Sequence, residues 1–345
     1  MTSITIKDLA KKAGVSIGTV DRVLHGRGRF SAKTEKKIKS LVEKLGYQAN
    51  VFGRHLSMRR SFCFQVLVPK RSQDSGYWEQ VAQGAQKAGQ ELAAHKVSVE
   101  FSEYDRYSQR SFERATIHPP SGEIDGLVIA PVNPDRVGAY LRSVASPLPY
   151  VFIDSTLPEF SPVSFIGQDA FQSGVLAGKL FSMTIHEPGT IAIIAVHPRD
   201  CNISERVRGC RTSLDAFGRL RSVMYSHDGE ALTEEACSRM VRKIRNENGD
   251  LRGIFVTNVA GHLIAGQLKQ CPQPVRLIGY DAVGPNLPYL EDGTIDFVIS
   301  QGPSSQGYQA IYCLYRHVVL KKKCSGIIAM PLDIVTKENL HYVRN

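Results

Sequence analysis

No apolar run in the 345-residue chain approaches the ~20 residues that cross a bilayer; Ile191 to Val196 is among the longest. The opening MTSITIKD lacks the basic start and apolar core of a secretion signal. Neither a membrane protein nor a signal-exported one is expected, and the chain reads as cytoplasmic. The seven cysteines (Cys63, Cys201, Cys210, Cys237, Cys271, Cys313, Cys324) form no Cys-x-x-Cys pair and stand near no histidine cluster of metal-ligand spacing. Reduced thiols, rather than a disulfide framework or a zinc site, are the expectation. No G-x-G-x-x-G follows a strand-like run and no G-x-x-x-x-G-K-[ST] occurs, so nucleotide-cofactor chemistry has no support. The ten histidines are scattered and none is assigned a catalytic task. No cofactor, no metal and no enzymatic activity are expected.

Net charge is also missing from most of the chain. Residues 1–60 hold 14 Lys/Arg against four acids, Asp8, Asp21, Glu35 and Glu43; the other 29 basic residues are balanced by 29 acidic ones. The whole excess of +10 therefore lies in the first sixth. A compact basic segment on a neutral body suits a polyanion, because Lys and Arg gain affinity by releasing phosphate counterions. The rest is ordinary for a globular chain, with 42% hydrophobic and 22% charged residues, and the length suits two or three compact units.

In the basic segment, Thr5 followed by Asp8 fits a helix start, and Ile6, Leu9, Ala10 and Ala13 recur at helical spacing. This predicts a helix over about residues 6–13. Gly14 breaks it, Val15 plugs a small core, and Ser16 caps a second helix with Val20, Val23 and Leu24 inside. On the other face lie Ile17, Gly18, Asp21, Arg22 and His25, spaced to enter a DNA major groove together. After a Gly/Arg loop, Ser31 caps a third helix whose Ile38, Leu41, Val42 and Leu45 close the core before Gly46. Three such helices make an all-α helix-turn-helix headpiece. Gly14, Ser16 and Gly18 also satisfy the G-x-S-x-G of α/β-hydrolases, but that motif needs a strand before its serine, and here a helix precedes it.

From Phe62 onward, short apolar runs alternate with amphipathic stretches: 62–68, 97–101, 124–130, 150–153, 191–196, 223–226, 253–256, 275–279 and 297–299. That rhythm predicts parallel sheets covered by helices, with ligands bound just past the carboxyl ends of the strands. Lys70 to Trp78, Asn133, Asp154, Asp200 to Arg206, Asn258, Asp281 and Gln301 all follow such runs. These groups suit a polyhydroxylated molecule. Asp169 reads as a cap on the following helix, and Trp78, the only tryptophan, either stacks on a sugar face or fills the cleft wall.

The strings TIKDLAKKAGVSIGTVDRVL, SAKTEKKIKSLVEKLGYQAN and VFGRHLS, and in the body IDGLVIAPVNP, FIGQDAFQSG, NISERVRG, VTNVAGHLIAG, IGYD and TIDFVISQ, resemble the lactose/galactose repressor (LacI/GalR) family. The resemblance implies a dimeric DNA-binding transcriptional regulator, a repressor in the first reading, acting on a pseudo-palindromic double-stranded operator. It also implies a headpiece over residues 1–49, a hinge over 50–60 and a two-lobed, periplasmic-binding-protein-like α/β effector domain over 61–345. One lobe would take 61–166 and 302–325, the other 167–301 and 326–345.

Leu56 matches the family's hinge leucine, which inserts at the operator centre. Asp154, Arg206, Asn258, Asp281 and Gln301 match family residues that face the effector. Lys70, Tyr77, Trp78 and Asn133 complete the candidate effector set. The candidate DNA-facing set is Thr5, Ser16, Ile17, Gly18, Thr19, Asp21, Arg22 and His25; Arg29, Ser31, Lys33 and Thr34; and Tyr47, Asn50, Gly53, Arg54 and Leu56.

Three positions depart from the family pattern. Gly53 replaces a common Ala in the hinge, Asp21 stands where a phosphate-contacting Ser is common, and Gly18 removes a side chain that often reads bases. The effector expected from the crevice is a sugar. A nucleobase, an amino-acid derivative or a sugar phosphate acting as co-repressor is the alternative within the family, with Lys70 and Arg71 at the rim for a phosphate. A solute-binding or enzymatic body with an incidental headpiece is the alternative from another class.

Overall fold

A computed structural model describes residue 4 and residues 6–24, 28, 30–45, 60–117, 123–144, 148–269 and 274–343. The chain forms two compact units, Met1–Arg60 and Ser61–Asn345.

The first unit contains α1 (Ile6–Ala13), α2 (Ile17–Leu24) and α3 (Ala32–Leu45). Leu9, Ala10, Ala13, Val20, Val23 and Ile38 are buried together, with Val15, Leu24, Leu41, Val42 and Leu45 packed on them. Gly14 takes φ 69°, which glycine adopts without the steric penalty of a Cβ. Its N–H donates to Lys11 O and that of Val15 to Ala10 O, so the last carbonyls of α1 are satisfied as the chain turns. Ser16 Oγ accepts from Thr19 N and Ser31 Oγ from Thr34 N, each at 3.1 Å, capping α2 and α3. The expected cap at Thr5 and stop at Gly46 lie outside the described residues.

The second unit holds two six-stranded sheets. The first runs in the order β11-β5-β4-β3-β1-β2, and the second β12-β10-β9-β8-β6-β7. The strands are β1 (Phe62–Pro69), β2 (Val97–Tyr104), β3 (Gly126–Ile129), β4 (Tyr150–Ile153), β5 (Ser164–Gly167), β6 (Gly189–Val196), β7 (Leu220–His227), β8 (Leu251–Val256), β9 (Arg276–Tyr280), β10 (Phe297–Ser300), β11 (Ile327–Ala329) and β12 (Asp333–Val335). All pairings are parallel except β10 with β12. All nine expected runs are strands; β5, β11 and β12 are additional. All three are short: β5 is largely buried but only four residues long, and β11 exposes Ile327 and Ala329, so none shows the long apolar run that marks a buried strand.

The two halves repeat one topology, in which the first strand lies between the second and the third. Helices α4 (Tyr77–Leu92), α5 (Gln109–Ile117), α6 (Pro134–Ser143), α7 (Ala170–Thr184), α8 (Cys201–Phe217), α9 (Glu234–Glu247), α10 (Gly261–Leu268), α11 (Leu287–Glu291), α12 (Pro303–Leu314) and α13 (Leu340–Val343) complete the unit. Asp169 caps α7 through Gln172 N. Glycine lets two helix pairs approach closely. A Cβ on Gly84 of α4 would lie 1.8 Å from Ser304 O of α12, and one on Gly174 of α7 would lie 2.1 Å from Arg206 O of α8.

The chain passes between the sheets three times, after β5, after β10 and after β11. The last passage falls after Ala329, not at the expected 325–326, because Ile327, Ile328 and Ala329 pair with β5 of the first sheet. Gln168, in the first passage, donates Nε2 to Ser300 O at 2.6 Å and to Pro331 O at 2.5 Å. One amide of the first crossing thus ties the end of β10, where the second crossing begins, to the third crossing.

Candidate functional site

A nearly closed crevice, with a cavity volume of about 40 Å³, lies at the carboxyl ends of both sheets. Open α/β sheets bind ligands there because neighbouring connections leave toward opposite faces. The first half contributes Asp74, Tyr77, Trp78, Arg106, Val132 and Asp154; the second contributes Val196, His197, Asp200, Asn202, Ile203, Arg206, Asn258 and Val259; Gln301 comes from a crossing.

Backbone conformation aims the acids. Asp74, Asp154 and Asp281 have φ of 49°, 65° and 56°, a left-handed region that Asp tolerates better than most residues. Asp154 is held by donors on its carboxylate: Tyr77 Oη at 3.1 Å, and Asn202 Nδ2 of the opposite half at 3.1 Å. Its own N–H donates to Gln306 Oε1 at 2.8 Å. Asp281 accepts from Gln301 N and from Gln301 Nε2, each at 2.6 Å. Gln301 Oε1 is thereby turned to accept from Arg206 Nη2. Arg206 is 2% exposed, donates Nη1 to Thr257 O at 2.8 Å, and lies 3.8 Å over the Tyr280 ring.

A second cation, Arg106, spans the two halves. It donates to Asp74 Oδ2 at 2.6 Å and to Asp200 Oδ2 at 2.9 Å. Asp74 also accepts from Trp78 Nε1 at 2.6 Å. Burial pushes the Asp200 carboxyl up to about 7, against the opposing pull of Arg106. Asp281 rises to about 6 through burial, moderated by the bonds from Gln301, and burial raises Asp154 as well. His197 falls to about 4 because burial, then Arg106, disfavour its cation. Its Nε2 lies 3.3 Å from Tyr107 Oη, a third contact between the halves.

Of the nine residues expected to face an effector, Tyr77, Trp78, Asp154, Arg206, Asn258 and Gln301 line this crevice. The other three do not. Asp281 sits behind Gln301, Asn133 caps α6 through Arg136 N, and Lys70 Nζ pairs with Asp105 at 3.2 Å. Trp78 lines the crevice but is 2% exposed and packs edge-on against Tyr77. Asp74, Arg106, Asp200, Asn202 and His197 line it without having been singled out. Asp74, Asp200 and Asn202 fall in the post-strand segments. Arg106 is hidden in the sequence because the apolar alternation of the second run stops at Phe101, whereas β2 continues to Tyr104. Among the described residues, no group of three or more His, Cys, Asp or Glu is placed to hold a metal, and no helix is long and apolar enough to cross a membrane.

In the first unit, Ile17 is 44% exposed, and Ser16, Gly18 and Arg22 are exposed beside it on one side of α2. Arg22 Nε donates to Gly18 O at 3.1 Å. Thr19 and Asp21 are half-buried; on α3 and its cap Ser31 and Lys33 are exposed and Thr34 is half-buried. Thr5, His25, Arg29, Tyr47, Asn50, Gly53, Arg54 and Leu56 lie outside the described residues.

Residues 5–50 match the profile of bacterial regulatory proteins of the lacI family, and residues 65–323 that of a periplasmic binding protein domain. The HTH-type transcriptional repressor PurR of Photobacterium profundum is 25% identical over 341 residues, covering 97% of this chain and 98% of that protein. A provisionally assigned LacI transcriptional regulator from Bacteroides fragilis superposes with a TM-score of 0.74 at 26% identity, over 82% of this chain and 99% of that one. GanP, a glucose-galactose binding protein from Geobacillus stearothermophilus, has the same fold, with a TM-score of 0.70 at 22% identity over 82% and 99% of the two chains.

Proposed function

Because the chain belongs to the LacI family of bacterial transcriptional regulators, we propose that it is a homodimeric repressor whose operator affinity is set by a neutral sugar bound in the crevice. The observation that carries the sugar is the set of acceptors there. Asp74, Asp154 and Asp200 line the crevice against two cations, Arg106 and Arg206, with Asp281 directly behind Gln301. Carboxylates accept strong hydrogen bonds from hydroxyl donors and repel phosphate. The rim cations favour no phosphate either, since Lys70 is paired with Asp105 and Arg71 with Glu103. A sugar held by groups from both halves stabilises their closed arrangement, and a difference in affinity between arrangements is what alters operator binding.

The α2 face carrying Ile17, Gly18 and Arg22 is the reading surface in this proposal, with Ile17 for a thymine methyl and Arg22 for a guanine. The protein acts in the cytoplasm, where its operator lies, and does no chemistry on its ligand. A thermal-shift screen of the full-length protein against neutral sugars, nucleobases and sugar phosphates tests the effector class, since binding raises stability by RT ln(1 + [L]/Kd). The operator is selected in parallel from random duplex DNA and challenged with each hit. Stabilisation by a phosphate or nucleobase alone, or a sugar that binds without altering operator affinity, sinks the proposal.

A further inference from the structure

We infer that Arg106, of the two cations in the crevice, is the one that neutralises a carboxylate from each half so that the halves close, thereby reserving the site for an uncharged ligand. The inference deepens the sugar reading and rests on it for the ligand class. The carboxylates come from both sides: Asp74 and Asp154 from the first half, Asp200 from the second. Closing the halves brings these like charges together inside a poorly hydrated space, which is unfavourable unless a cation enters with them. Arg106 is that cation. Its side chain is 8% exposed, and its two terminal nitrogens bond separate carboxylates on opposite halves.

The first half anchors the backbone of Arg106 independently of the second. Arg106 N donates to Gln73 Oε1 at 3.1 Å, and Arg106 O accepts from Arg136 Nη1 at 3.1 Å. Next to it, Asp105 accepts from Gln73 Nε2 at 3.0 Å and from Tyr107 N at 3.1 Å, closing the turn. The Arg106 guanidinium is held within the first half by Asp74 Oδ2, so the bond to Asp200 is the one that closure adds. A lysine is a poor replacement, because an ammonium lacks the rigid planar fork that fixes the directions of two carboxylates at once. With Arg106 present, two of the three lining carboxylates share the protein's own cation through one oxygen each, so they still accept hydroxyl hydrogen bonds, whereas a positively charged ligand would have to displace Arg106.

The test needs no knowledge of the effector. In the full-length protein, Arg106→Ala should lower the thermal midpoint by about 10 °C, since it strands buried carboxylates. Guanidinium chloride at tens of millimolar, compared with sodium chloride at the same ionic strength, should raise the variant's midpoint while lowering that of the wild type, for which guanidinium is only a denaturant. Asp200→Asn, which keeps Arg106 in place, should show no such rise. A cycle of Arg106→Lys with Asp200→Asn covers the case in which Arg106→Ala does not fold: the double variant should lose no more than the larger single loss.

Equal guanidinium responses in wild type and Arg106→Ala, or additive losses in the cycle, overturn the inference. Failure of the sugar reading shows elsewhere, in the ligand screen and the operator assay, and leaves the guanidinium result unchanged.

Discussion

Asp154 and Asp281 occupy the same place in the two halves: each directly follows the fourth strand of its sheet, with a left-handed φ of 65° and 56° respectively. Each is also tied to a glutamine, Asp154 through its N–H to Gln306 and Asp281 through its carboxylate to Gln301. The equivalence ends at the crevice. Asp154 lines it, whereas Asp281 acts through Gln301, whose amide oxygen it turns toward Arg206.

Asp281→Ala should therefore weaken effector binding by tenfold or more without touching the ligand, because it frees Gln301 to rotate and deprives Arg206 of an acceptor. Arg206→Ala should lose at least as much. Both should keep operator binding, giving repressors that no longer respond. Titration calorimetry against the sugar found in the screen decides it; unchanged affinity in both variants means that the ligand sits elsewhere.

Gly174→Ala should destabilise the body by about 1–3 kcal/mol, since the added methyl meets the Arg206 carbonyl and forces α7 and α8 apart. Gly249→Ala, where a Cβ would meet nothing within 4 Å, is the control. Chemical denaturation of both gives the difference, and equal stability refutes the close-approach argument.

Stability should fall as pH rises from about 6 to 8. Asp200, lifted to about 7 by burial, binds a proton in the folded state at pH values where the unfolded carboxylate has lost it, so its contribution is present at low pH and disappears as pH passes the folded value. Asp281, lifted to about 6, adds the same sign slightly lower. His197, depressed to about 4, works the other way: its contribution is present at neutral pH and is lost as pH falls from its ordinary value toward 4. Above pH 6.5 the fall comes chiefly from Asp200, since Asp281 has by then largely lost its proton. Thermal melts of wild type and Asp200→Asn across this range should diverge; parallel profiles contradict the assignment.

Residues 1–60 should carry essentially all DNA affinity, with log K falling against log salt with a slope of about −5 to −10 for a dimer. Arg22→Ala should relax discrimination at one base pair per half-site by roughly 1–3 kcal/mol, whereas Lys33→Ala should weaken all sequences alike. Binding titrations on operator and random DNA separate the two, and equal losses on both for Arg22→Ala mean that the reading face is misassigned.

The helical headpiece was legible because its signals are local: Gly14 at a left-handed turn and serines three residues before the N–H groups they cap. The long interior strands were legible for the same reason, as in β6, whose residues are buried throughout. What was lost depends on pairing at a distance. The short strand β11 is defined by β5, some 160 residues earlier in the chain. Arg106 gains its meaning from Asp200, which lies 94 residues away, and no periodicity connects them. Asp281 stands out in the sequence by its place after a strand, but strand-end position alone does not separate a residue that touches a ligand from one that orients its neighbour.

The amide of Gln168 bears on how information leaves the crevice. Three connecting strands free to bend separately would allow the halves to twist, slide and open in many combinations, and a ligand would shift a broad distribution of shapes. Tied to Ser300 and Pro331 by one side chain, the three would act as a single pivot. Different molecules entering the crevice would then drive motion along one shared coordinate and differ only in how far along it they hold the protein. Inducer and antagonist, on this view, are positions on the same arc.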